Sequence, residues 1–119
     1  QEDYVIKTYL KGNELLNDDT KFSYELGNAY LKKDDSKNAV KQWLEVIKIQ
    51  PNRKSSIQNI LANNIEKSDI ADELETQLYS YIQKEPNRDE YPEMLIWLFL
   101  HQIPACRKLA NSYRFSLPD

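Results

Sequence analysis

Few residues of this chain have the types and spacings that carry covalent chemistry. The single histidine, His101, and the single cysteine, Cys106, lie five residues apart, and two ligands of mixed type fall short of a zinc set. A cation at the end of a helix suits the helix dipole, so His101 is expected to cap carbonyls or face solvent. With one imidazole in the chain and no serine framed by the glycines of a strand-to-helix elbow, nucleophilic catalysis has no machinery. Glycine occurs only at positions 12 and 27, so no loop can cradle a phosphate, and no cofactor is expected. The 19 acidic residues are spread over polar faces and turns, the pattern of solvated charge. The chemistry that remains is non-covalent recognition by aromatic, amide and charged side chains.

Composition narrows what could be recognised. A formal charge of -3 and 16 scattered basic side chains give a field that repels phosphate backbones, which excludes nucleic acid as the expected partner. The longest apolar run, Met94 to Leu100, is seven residues, too short to insert across a bilayer. With 119 residues and 40% hydrophobic content the chain can bury one core without metals or disulfides. The richness in Lys, Asn and Asp hints at AT-rich coding and a bacterial source.

The elements that position these side chains read as helices throughout. Two glycines and five prolines leave little material for hairpin turns, and apolar residues recur at three and four rather than two. A first helix is predicted over about 3–16, with Val5, Tyr9, Gly12 and Leu15 on one face. Thr20 offers a capping hydroxyl for a second, to about Lys33, carrying Phe22, Leu26, Ala29 and Tyr30, with Gly27 allowing a neighbouring backbone to approach. Ser36 can cap a third, with Ala39, Trp43, Val46 and Ile47, which Pro51 stops. Ser55 or Ser56 opens a fourth (Ile57, Ile60, Leu61, Ile65) and Asp69 a fifth (Leu74, Leu78, Tyr81, Ile82), which Pro86 ends. A sixth, from about Asp89 to Gln102, is apolar all the way round and calls for cover on every side.

These helices fall into columns with one internal period. Leu26, Ile60 and Leu95 form one, Tyr30, Asn64 and Phe99 another, and Val5, Ala39 and Leu74 a third, each stepping by 34 residues and then 35. Tyr9, Trp43 and Leu78, then Gly12, Val46 and Tyr81, then Asn17, Pro51 and Pro86 keep the same steps, with the extra residue placed between Glu66 and Asp69. The phrases Gln50-Pro51-Asn52-Arg53 and Glu85-Pro86-Asn87-Arg88 occupy equivalent turns.

The segment Leu26-Gly27-x-x-Tyr30, Ala39-x-x-x-Trp43, Pro51 resembles the tetratricopeptide repeat (TPR). The likeness spans about residues 1–102; Ser23 stands where the leading aromatic is usual, and Leu61 and Asn64 stand where Gly27 and Tyr30 stood one repeat earlier. It implies an all-α fold of antiparallel helix pairs stacked as a right-handed superhelix, each pair burying its neighbour's apolar face. Its divisions would be the second helix of a partial repeat over 1–19, a full repeat over 20–53, a degenerate repeat over 54–88 and a further first helix over 89–102. The remainder, 103–119, would be an irregular tail or a short helix near Ala105–Tyr113. A start partway through a repeat is expected of a piece of a longer array.

The resemblance also implies a non-enzymatic scaffold or adaptor that holds a protein or peptide in a concave groove lined by the first helix of each pair. By register the groove would present Tyr24, Asn28, Leu31 and Lys32, then Gln58, Ala62, Ile65 and Glu66, then Glu93, Trp97, Leu100 and His101. Of the Lys, Asn and Arg set with which one subgroup grips a terminal carboxylate, only Asn28 is kept; Tyr24, Glu90 and Met94 stand where cations would be needed. That clamp is excluded. Trp97 lies outside the columns of Leu95 and Phe99, so it is expected on the groove side, covering the floor, touching a ligand or packing on the tail. Tyr9, Tyr30, Trp43 and Tyr81 are read as packing residues. The alternative is a structural segment that self-assembles into a homo-oligomer through exposed terminal helices, and a regulatory arm on a catalytic domain is a third reading.

Overall fold

The structure, a computed structural model, describes residues 2–66 and 69–103. All regular structure among them is helical: α1 (Glu2–Leu15), α2 (Ser23–Lys32), α3 (Ser36–Ile49), α4 (Lys54–Asn64), α5 (Ile70–Lys84) and α6 (Glu90–Gln102), with one 3-10 turn at Pro51–Arg53. The inserted residue between Glu66 and Asp69 and the tail beyond Ile103, Cys106 included, lie outside the described residues.

The helix ends show how short connections are made. Asp34 adopts φ 63°, a left-handed conformation that Asp tolerates better than most residues. That turn lets the Asp35 N–H reach back to the Tyr30 carbonyl at 2.9 Å and closes α2 as a helix stop of the glycine type. Asp35 then caps α3, accepting from the Asn38 N–H at 3.2 Å. Asp35 therefore takes the role expected of Ser36. Asn17, with φ 54°, ends α1 in the same way.

Thr20 does not cap α2, which starts three residues later at Ser23. Its hydroxyl and N–H both donate to Asp18 Oδ1, at 2.9 and 3.0 Å, so a local turn has consumed the cap. The buried Asn13 ties this loop to α1, donating to the Asp19 carbonyl and accepting from the Phe22 N–H, both at 3.1 Å. Pro51 stops α3 as expected, but α4 begins at Lys54, directly after the 3-10 turn and ahead of both serines.

Packing runs from α1 to α2, α2 to α3, α3 to α5 and α5 to α6. The main core joins α3, α4, α5 and α6 around Trp43, Leu44, Ile47, Ile57, Leu61, Leu74, Leu78, Tyr91 and Trp97. A smaller cluster of Ile6, Leu26 and Ala29, flanked by Val5, Tyr9, Phe22 and Tyr30, holds α1 to α2. Gly27 does leave room for a neighbour, but the neighbour is the indole of Trp43 rather than backbone.

α6 departs from the expected register. Tyr91, Met94, Trp97 and Leu98 are buried, while Phe99 is 39% exposed and Leu95 only partly covered. The inward face is turned by one residue, about 100°. Two contacts set this rotation: Tyr91 stacks on Tyr81 of α5 with ring centroids 4.9 Å apart, and Met94 Sδ accepts from Gln58 Nε2 of α4 at 3.5 Å.

Candidate docking face

Tyr24, Asn28, Leu31 and Lys32 all lie on α2, and the first three are half-buried while Lys32 is exposed. Tyr24 holds its place through the neighbouring segment: the Arg53 guanidinium sits 4.4 Å from the centre of its ring, a cation–π contact across from the turn before α4. Arg53 was not among the expected groove residues. Its counterpart in the repeated turn phrase, Arg88, instead bonds Glu85 and Glu90 at 3.1 and 2.8 Å, so one tripeptide does two jobs.

On α4, Gln58 is fully buried and Ile65, just past its end, is 9% exposed; Ala62 is half-buried and Glu66 exposed. Lys54 at the start of α4 pairs with Glu93 of α6 at 2.9 Å, and both side chains are close to nine-tenths covered. Together with the bond from Gln58 to Met94, this pair fastens α4 to α6. Lys54 carried no signal in the sequence, because a lysine in a first helical turn reads as solvated.

Trp97 is 1% exposed and belongs to the core, where its ring stacks on His101 at 5.1 Å. The rotation of α6 turns Trp97 inward, and His101 is half-buried against that indole. Leu100 is half-buried beside them. The indole N–H of Trp97 and the amide oxygen of Gln58 are both buried without a hydrogen-bond partner, a state that costs each about 1–3 kcal/mol.

Open space adjoins the α2 end. A pocket of about 240 Å³ between α1 and α2 is lined by Glu2, Val5, Tyr9, Glu25, Asn28 and Lys32, which sets an amide and an ammonium beside two carboxylates. A larger cavity of about 600 Å³ opens between α1 and α3, walled by Leu10, Asn13, Asp19, Lys41 and Glu45. Among the described residues no group of His, Cys, Asp or Glu could hold a metal ion, and no helix is long and apolar enough to cross a membrane.

No protein-family model matches this chain, and no curated protein and no solved structure matches it either.

Proposed function

We propose that the chain is a non-enzymatic interaction module of the tetratricopeptide type, whose first helices α2, α4 and α6 form one layer that docks a peptide or protein segment. The observation that carries this reading is the run of side-chain links along that layer. Arg53 lies over Tyr24, Lys54 pairs with Glu93, and Gln58 bonds Met94. A second layer is tied in parallel: Gln77 donates to the Lys37 carbonyl at 2.9 Å, Tyr81 to Glu45 at 3.2 Å, and Lys48 pairs with Glu85 at 3.2 Å, between α3 and α5 or the residue that caps it. Two such layers are what a stack of helix pairs requires.

The accessible part of the docking face is its α2 end. Asn28 and Lys32 border the 240 Å³ pocket with Glu25, and Tyr24 offers a ring already fixed by Arg53. Mixed amide, cation and aromatic contacts suit an extended peptide rather than a bare carboxylate.

The test is selection from a random peptide library, followed by binding of the selected peptides to the parent chain and to Tyr24→Ala, Asn28→Ala and Lys32→Glu. Loss of about tenfold or more in affinity with an unchanged circular dichroism spectrum supports the reading. Peptides that bind all four proteins equally place the docking surface elsewhere.

A further inference from the structure

A second surface, on the helices that the docking layer does not use, points to a partner of its own. Within the chain α5 seats against α3 with contacts that advance together along both helices, from Lys37 and Gln77 to Lys48 and Glu85, so the two run parallel. In the 34- and 35-residue columns α1 is equivalent to both, and Thr8 and Gly12 of α1 stand where Gln77 and Tyr81 stand on α5. On α1 that side is largely uncovered, Thr8 being exposed while Gly12 is half-buried beside Phe22. Tyr4 is 75% and Leu15 73% exposed, and with Lys7, Thr8, Lys11 and Gly12 they line a shallow apolar depression of about 500 Å³.

A stripe on α5 carries the complement. On α5 the stripe Asp72, Thr76, Tyr79 and Gln83 faces away from Leu74 and Leu78, and all four residues are exposed, Tyr79 to 47%. Its spacing of four, three and four residues is also that of Tyr4, Thr8, Lys11 and Leu15 on α1. Glu75 lies beside it. With its neighbour Lys7 the α1 stripe is aromatic and aliphatic with two lysines, and with its neighbour Glu75 the α5 stripe is aromatic with two carboxylates.

We propose that these stripes join two copies of the chain head to tail, α1 of one copy lying parallel on α5 of the next, as α5 lies on α3 within a single copy. Asp72 and Glu75 then meet Lys7 and Lys11, while Tyr79 packs toward Leu15. The exposed pair between Lys11 and Glu14, 3.4 Å long with both side chains mostly in solvent, is weak enough to exchange for it. Because the two faces differ, each added copy presents a fresh α5, so assembly proceeds to chains or a closed ring and does not end at a dimer. The contact uses none of α2, α4 or α6, so it stands or falls separately from the peptide-docking reading.

The experiment is sedimentation velocity on the parent chain and two charge-reversed variants, Lys7→Glu/Lys11→Glu and Asp72→Lys/Glu75→Lys, with circular dichroism as the folding check. The parent is expected to give species that grow with concentration and recede at high salt, since screening acts over about 8 Å at physiological ionic strength. Each variant alone carries like charges on both faces and should associate about tenfold more weakly or worse. Mixing the two variants pairs acid with base at both junctions and should restore association to within about threefold of the parent. A parent that stays monomeric at millimolar concentration overturns the proposal, as does a mixture that remains as weak as its components. Variants that associate as the parent does point to contact through other faces, such as α1 on α1 or the apolar side of α6, and overturn it as well.

Discussion

Gly27 of α2 lies directly beneath the indole of Trp43 of α3, and a Cβ placed there would run into the Nε1 edge of the ring. The pair explains why a residue that weakens helices sits in the middle of one. On helix propensity alone Gly27→Ala should gain about 0.5–1 kcal/mol. With the fully buried Trp43 in the way, the substitution instead forces overpacking, for which a loss of about 1–3 kcal/mol is expected. Urea unfolding of the variant decides the sign, and a gain in stability would mean that the ring does not rest on Gly27.

Trp97 makes the opposite kind of prediction from the one its place in the repeat suggests. Only 1% exposed and stacked on His101, Trp97 should cost about 3–5 kcal/mol when truncated to alanine, a large share of the stability of a domain this size. Thermal melting followed by circular dichroism should show a lower midpoint or outright unfolding. A variant that keeps the parent's midpoint would return Trp97 to the docking face as a ligand contact.

The reach of the sequence can be judged from the same residues. Helices were legible wherever one stripe was apolar and a proline followed, as in α3, where Trp43, Val46 and Ile47 are buried and Pro51 ends the run. The rotation of α6 was not legible, because Met94 to Leu100 is apolar on every side and no stripe says which way it faces. Only its neighbours Tyr81 and Gln58 decide that, and both are distant in sequence. Caps failed for a related reason. Thr20 and Ser36 have the right chemistry, but Asp18 and Asp35, acidic residues close by, compete for the same backbone and hydroxyl groups. Of the candidate face, α2 kept its expected residues at least partly accessible, whereas Gln58 and Trp97 were drawn inward by contacts between helices that spacing does not encode.

The pair of Lys54 and Glu93 lets its energetic role be separated from its geometry. Each side chain retains only 12–13% of its exposure, so neither charge is well solvated. Replacing Glu93 alone by leucine strands the Lys54 ammonium and should cost about 3 kcal/mol, the low end for a buried pair. Replacing both, Lys54→Met with Glu93→Leu, should recover most of that loss, because well-packed apolar residues often substitute for a buried ion pair at no cost. A double-mutant cycle in urea checks this. Additive losses would show that the two helices are held elsewhere, at Gln58 and Met94 among other contacts.

Stability should fall away at both ends of the pH scale, through different residues that link α3 to α5. The Lys48 ammonium, bonded to the Glu85 carboxylate, holds its pKa below the ordinary 4.5, and Arg88 adds to the effect. A depressed carboxyl contributes stability above the unfolded-state pKa and loses it as pH falls through the folded one, so this contribution fades below about pH 4.5. At the alkaline end burial, with the Glu45 carboxylate next, pushes the Tyr81 hydroxyl up to about 12 from its ordinary 10. A raised pKa contributes stability that is complete below pH 10 and drains away between 10 and 12 as the unfolded phenol ionises first. Urea midpoints measured across pH should therefore decline on both sides. Glu85→Gln should flatten the acid limb and Tyr81→Phe the alkaline one, each leaving the other limb in place. If either substitution leaves its own limb as steep as in the parent, the linkage lies with other groups.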